Sequence, residues 1–325
     1  TYHDSKCLFF LGECHDSRSV VTQWRFCLGP NLAHRPILSS CGGSSCTRIS
    51  TGRDHFCSHY PSRIHTFLLV TPHCVYSSLD YDFGIYIADS ASGSCTLGQD
   101  LIPPVAKYNL SISHLSLDRT KSLDLLEFLH GHNQSVAGIY PSNNTTTTTM
   151  SSSVLSLNWG EIIPLHLLQP LFVPPHGHDN KFIILSMPRR RYQHAPEMVP
   201  ELLQLGHKIG QWIQIISSSS VSTRSKVGVI ISGDLSHTHQ ANGPYGYSST
   251  SARMDHALGQ WARHPWPCQS QLLQVATRLQ SQALSCGFTG FVLGHGILQS
   301  CQKQQQQQDH HHPLHPNQGD DDASI

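Results

Sequence analysis

Charge is scarce in this chain of 325 residues: Asp, Glu, Lys and Arg together make up 13%, about half the share of an average soluble protein. The 21 basic side chains are matched by 21 acidic ones. That balance argues against a phosphate-binding surface, and against an acidic chain that solvates itself along its length. Glutamate is scarcest of all, with five copies and none after Glu201. Long apolar runs are missing too. Thr66 to Val70 and the proline-interrupted Ile162 to Val173 fall short of the ~18 residues that span a bilayer, so no membrane helix is expected. There is no Cys-x-x-Cys pair, which excludes a zinc ribbon or a thioredoxin motif. No Gly-x-Ser-x-Gly elbow is present to expose a nucleophilic serine, so a hydrolase triad is rejected although Ser232, Asp234 and His237 share one short segment.

The chain starts Thr1-Tyr2-His3, with no readable signal peptide, and is expected to have an incomplete or processed start. Its 11 cysteines are odd in number and irregularly spaced; reduced thiols in the cytoplasm are the plain expectation. The surplus lies in histidine, 24 copies, a side chain suited to metal ligation and proton transfer.

Residues 1–60 carry no sustained periodicity and are rich in Ser, Gly and Cys. From residue 61 the pattern changes. Thr66 to Thr71, Lys181 to Ser186, Lys226 to Ser232 and Gly290 to Leu293 read as buried strands. Helical spacing is found after an Asp118 cap through Leu123, Leu126 and Leu129, and over Glu197 to Ile215, Arg253 to Ala262 and Gln269 to Leu284. Alternation of the two kinds predicts a single α/β domain over 61–301, beginning as early as residue 30, with a mostly parallel central sheet flanked by helices on both faces. Ser142 to Ser153 and Ser217 to Ser225 are polar, low-complexity insertions, expected as solvated loops. Residues 302–325, with polyglutamine, His310-His311-His312 and Asp320 to Asp322, are expected to form a disordered tail.

Two apolar strands lead into histidines. Val227 to Ile231 ends at Ser232-Gly233 and then presents Asp234, Ser236 and His237; Ile64 to Val70 runs into Thr71-Pro72-His73. In open α/β sheets ligands bind beyond the carboxyl ends of the strands, so His73 and His237 would share one edge. Each is either a proton acceptor or metal ligand, or a loop histidine bonded to backbone. The turn Gly243-Pro-Tyr-Gly-Tyr247 can set Tyr245 or Tyr247 against a planar substrate. Pro188-Arg-Arg-Arg191 is the only basic cluster, read as a solvated loop or, in a substrate site, as a carboxylate anchor.

Taken together, Ile230-Ile-Ser-Gly-Asp-Leu-Ser-His237, Gly243-Pro-Tyr-Gly-Tyr247 with Met254-Asp255, and Leu157-Asn-Trp-Gly-Glu-Ile-Ile-Pro-Leu165 resemble the catalytic domain of the class III extradiol ring-cleavage dioxygenases. Leu69-Val-Thr-Pro-His73, Phe83-Gly-Ile-Tyr86, Ser285-Cys-Gly287 and Leu293-Gly-His-Gly296 add to the likeness, which covers residues 61–301. The resemblance implies a non-haem Fe(II) enzyme that opens a catechol-type ring with O2, two histidines and a carboxylate holding the iron. It implies that His73 is a metal ligand and that His237 is the acid and base of the second sphere; with the turn read above, Tyr245 and Tyr247 are expected to shape the substrate pocket. His34, in Ala33-His-Arg-Pro36, is the nearest match to the other metal histidine. No nucleic acid or membrane partner is implied, and a homo-oligomer is compatible.

Three departures qualify the implication. Trp159 stands where the family often has a histidine, the strand before His34 is not recognisable, and Ser285 occupies the place of the late glutamate that would bind iron. Glu161, His295 or Cys286 are the substitutes in view; His295 would complete a three-histidine site suited to zinc as well as iron. The competing reading is the same fold with a degraded site, serving as a small-molecule, metal or protein-binding module.

Overall fold

The computed structural model describes residues 10–14, 64–73, 80, 82–97, 108–141, 154–168, 180–219 and 226–309. His34, the insertion at 142–153 and the tail beyond 309 lie outside them. The architecture is α/β. A six-stranded sheet has the order β1 (Phe10–Cys14), β9 (Lys226–Ile231), β2 (Ile64–Thr71), β8 (Lys181–Ser186), β3 (Phe83–Tyr86) and β6 (Val136–Ile139). Strand β2 runs parallel to both β8 and β9, and β3 parallel to β6; the β1–β9 and β3–β8 pairs are antiparallel.

The central strands read clearly because both their faces are buried, as expected of parallel strands. Along β2 successive side chains alternate between two cores: Leu68 and Val70 face the helical side, Phe67 and Leu69 the other. Each such side chain removed from water contributes about 1.5–3 kcal/mol before entropy is charged. On the helical side lies α1 (Arg119–Gly131), whose Asp118 cap accepts from the Lys121 amide at 3.2 Å. Among the described residues the opposite face carries one helix, α2 (Trp159–Leu167), and a single turn, α3 (Arg191–His194), follows β8. The remaining long helices, α4 (Val199–Ser219), α5 (Ser251–Arg263) and α7 (Phe288–Asp309), join α1. Trp212 and Trp261 are fully buried among them.

The face that α2 occupies is covered differently from expectation. The helix shares it with a three-stranded sheet of order β5 (Tyr108–Ser116), β4 (Ser90–Leu97) and β7 (Val154–Ser156). The middle strand, Ser-Ala-Ser-Gly-Ser-Cys-Thr-Leu, is built of small residues, which hides it from an apolar pattern.

The stretch Gly290 to Leu293 is not a strand but lies within α7. Its first turns are buried on every side, and such a helix has no polar stripe to reveal its period. The glycines serve close approach: a Cβ at Gly206 of α4 would strike the Leu293 carbonyl and Gly296 of α7, and a Cβ at Gly296 would strike Leu203, so the two helices touch through their backbones.

Among the described residues no helix is long and apolar enough to cross a membrane. Cys95, Cys268 and Cys286 carry free thiols. Cys301 is disulfide-bonded, so the expectation of uniformly reduced cysteines does not hold.

Candidate functional site

Because β2, β8 and β9 are parallel, their carboxyl ends open on the same edge, and that edge holds a cavity of about 430 Å³. His73 arrives from β2, Arg191 and Tyr192 from α3 after β8, and Asp234, Ser236 and His237 from β9. Trp159 from the start of α2 and Cys286 from the loop before α7 complete the wall. The strand-end histidines His73 and His237 are thus brought together as their positions suggested.

Main-chain contacts fix the two loops that meet here. A Cβ at Gly233 would overlap Gly287, so the backbones are in direct contact. The carbonyl of Asp234 accepts from the Gly287 amide at 3.1 Å and from Ser285 Oγ at 2.8 Å, while the Asp234 amide donates to Cys286 Sγ at 3.1 Å. Leu284, in the left-handed region at φ 56°, ends α6 (Thr277–Ala283) and turns the chain into that loop. The result is a tight cluster: one ligand atom each from Asp234, His237 and Cys286, all within 4.8 Å of one another. His237 Nε2 stands 3.5 Å from Asp234 Oδ2 and is a buried atom with no hydrogen-bond partner.

Across the cavity, His73 is gripped from three sides. Its ring packs on Trp159, centroids 3.9 Å apart. Its Nδ1 lies 3.4 Å from both Arg191 Nη2 and Tyr192 Oη, and its Nε2 is buried without a hydrogen-bond partner. Burial, and then the Arg191 guanidinium, lower its pKa to about 3, so the ring is neutral at physiological pH. Gly160 makes this packing possible, since a Cβ there would press on His73 and Thr71.

Arg191 is buried rather than solvated, its guanidinium 3.8 Å above the Tyr192 ring. The other two arginines of that run turn away: Arg190 binds both carboxylate oxygens of Glu201 at 2.6 Å, and Arg189 faces Asp80 at 3.8 Å. Nothing in the run Pro188-Arg-Arg-Arg191 foretells this division of labour.

Other candidate residues are placed apart from the cluster. His295 is fully buried in α7, where Trp261 Nε1 donates to its Nδ1 at 3.2 Å and Gln299 meets its Nε2 at 3.2 Å. It lines no part of the cavity, so the three-histidine site is not formed. Glu161 is fully buried in a capping box: its Oε2 accepts from the Asn158 amide at 2.7 Å, and Tyr86 Oη donates to its Oε1 at 3.4 Å. Burial raises its pKa to about 7 against these opposing hydrogen bonds. Tyr245 lines the cavity with its ring 4.8 Å from that of His237, whereas Tyr247 is exposed and does not reach it. The reason is Gly246, whose left-handed φ of 71° reverses the chain between the two tyrosines.

A pair that sequence reading missed has one member, His239, lining the cavity. His239 Nε2 lies 2.9 Å from Asp255 Oδ2, and Asp255 Oδ1 accepts from the Ser236 amide at 2.9 Å. Asp255 comes from α5, and no spacing rule links it to residues on the β9 loop.

The donor set can be tested for a metal. Carboxylate, imidazole and thiol oxygen, nitrogen and sulfur atoms are all ligands for divalent transition ions, and zinc suits such a mixed set as iron does. The Nε2 atom of His237 is buried, makes no hydrogen bond and lies 3.5 Å from Asp234 Oδ2, so in the Nδ1-protonated tautomer its lone pair is available to a cation that the carboxylate also binds. Burial, reinforced by Asp234, pushes the Cys286 thiol far above its usual range, so it keeps its proton unless a cation displaces it. The residues therefore fit a metal ion. No family model matches this chain, and no curated protein matches it either.

Proposed function

We propose that this protein is a metal-dependent oxidoreductase of the extradiol dioxygenase type, opening a catechol-type ring with O2. One observation carries the reading: a buried carboxylate and two histidines with unpartnered Nε2 atoms converge in one aromatic-walled cavity at the carboxyl edge of a parallel sheet. Asp234 and His237 would hold Fe(II), or zinc in the alternative. Iron, when bound, supplies the redox chemistry that joins O2 to the ring.

The protein's own groups have separate tasks. Trp159 and Tyr245 offer aromatic faces to a planar substrate. Arg191 can only donate, so its contact with His73 Nδ1 leaves the imidazole proton on Nε2, a buried atom with no hydrogen-bond partner in a side chain that lines the cavity. His73 then donates a hydrogen bond to a substrate oxygen. In this reading the two histidines exchange the parts that the resemblance gave them, His237 turning to the metal and His73 to the substrate. The buried cation of Arg191 also favours a substrate bearing a carboxylate. We place the protein in the cytoplasm on the strength of its free thiols, with the disulfide at Cys301 as a contrary feature; fractionation of cells expressing the full-length protein tests it.

The main experiment loads purified protein with Fe(II) without oxygen and then follows O2 uptake with plain and carboxylated catechols. Uptake that is abolished by His237→Ala supports the proposal. No uptake with any catechol, from protein that retains its iron, overturns it in favour of a binding module on the same fold.

A further inference from the structure

We propose that Cys286 is the third protein ligand of the metal, its sulfur standing in place of the late glutamate. This rests on the reading that Asp234 and His237 bind a metal ion, and it goes beyond that reading by giving the site a thiolate.

Elimination points to the cysteine. Among the described residues no glutamate lines the cavity. Glu161 is committed to its capping box and Glu201 to Arg190. Cys286 is instead the residue whose ligand atom closes a group with Asp234 and His237.

Spacing agrees. A tetrahedral ion with bonds of roughly 2.0–2.3 Å places its ligand atoms roughly 3.3–3.8 Å apart. His237 Nε2 and Asp234 Oδ2 are already separated by 3.5 Å. The sulfur lies within 4.8 Å of both, so it exceeds the tetrahedral spacing by no more than about 1.5 Å.

The sulfur is also held by the main chain. The Asp234 amide donates to Sγ at 3.1 Å, and the Gly287 amide and Ser285 hydroxyl tie the cysteine loop back to the Asp234 carbonyl. An amide donor to sulfur orients a metal thiolate and tempers its charge. On binding, the thiol gives its proton to solvent and the sulfur takes the ion as thiolate, so charge and atoms balance. Cys95 and Cys268 are free thiols elsewhere and do not line the cavity, which provides internal controls.

Co(II) is the probe, added to full-length wild-type protein, Cys286→Ser, Cys286→Asp and Cys268→Ser. The expected result is one Co(II) per chain, with an intense near-ultraviolet sulfur-to-cobalt charge-transfer band in wild type and Cys268→Ser. Cys286→Ser should lose the band and bind Co(II) at least about tenfold more weakly. Cys286→Asp keeps an oxygen ligand, so it should bind Co(II) without the band even if the serine variant folds poorly. Stoichiometric Co(II) binding with no band, or a band that survives in Cys286→Asp, overturns the inference and leaves a metal site intact. Wild-type protein that binds no Co(II) overturns the metal reading itself, and this inference with it.

Discussion

Replacing Glu161 with glutamine isolates the cost of a buried carboxylate next to the site. Glu161 is fully buried, and burial raises its pKa from 4.5 to about 7. At about 1.4 kcal/mol per decade, that displacement corresponds to about 3 kcal/mol of stability. The sign follows from proton binding. Between these two values the folded chain holds a proton that the unfolded chain has released, so stability is fully present below 4.5 and is lost as pH rises to about 7. Glutamine keeps the capping geometry, because its carbonyl oxygen can still accept from the Asn158 amide and glutamine is itself a capping-box residue. The assay is urea unfolding at a series of pH values, followed by the fluorescence of the buried Trp212 and Trp261. Near pH 4 the two proteins should be about equally stable, and by pH 8 Glu161→Gln should be more stable by about 2–3 kcal/mol. A stability difference that stays constant across this range would refute the reasoning, because it would show that the carboxyl titrates alike in both states.

Further substitutions test the packing and the cavity wall. Gly206→Val drives a side chain into the backbone of α7 and should cost about 2 kcal/mol or more, read as a lowered melting temperature. Tyr245→Ala should raise KM for the catechol several-fold, whereas Tyr247→Ala, outside the cavity, should leave turnover and KM unchanged. Asp255→Asn removes the carboxylate shared by His239 and the Ser236 amide; it should cost about 1–3 kcal/mol in urea unfolding and slow O2 uptake with the catechol.

The parallel heart of the fold was legible because Phe67 to Val70, Phe182 to Leu185 and Val227 to Ile231 are apolar on both faces, and few other structures bury such a run. Helices α1, α4 and α5 carried caps or a clear stripe. The second sheet escaped notice because Ser90–Leu97 is nearly all small and polar. Helix α2 was hidden by its internal Pro164, and α7 was misread because a helix buried all round has no stripe. For the site, strand ends located His73, Asp234 and His237, since topology alone sends those residues to one edge. What stayed invisible depends on three-dimensional meeting. Arg191 differs from Arg189 and Arg190 only in where the turn after β8 points it, and the resemblance that singled out Asp255 gave no sign that His239 would pair with it.

The backbone contact between Gly233 and Gly287 joins segments more than fifty residues apart in the chain into one mechanical piece. The main-chain points from which the carboxylate of Asp234 and the sulfur of Cys286 project are therefore set by two backbones in contact, and side-chain rotation governs only the last step towards an ion. Side chains added at Gly233 would meet the Gly287 backbone and part the two chains without altering any donor atom. Such variants would act as spacers, sorting ions by radius while the chemistry of the ligands stayed the same.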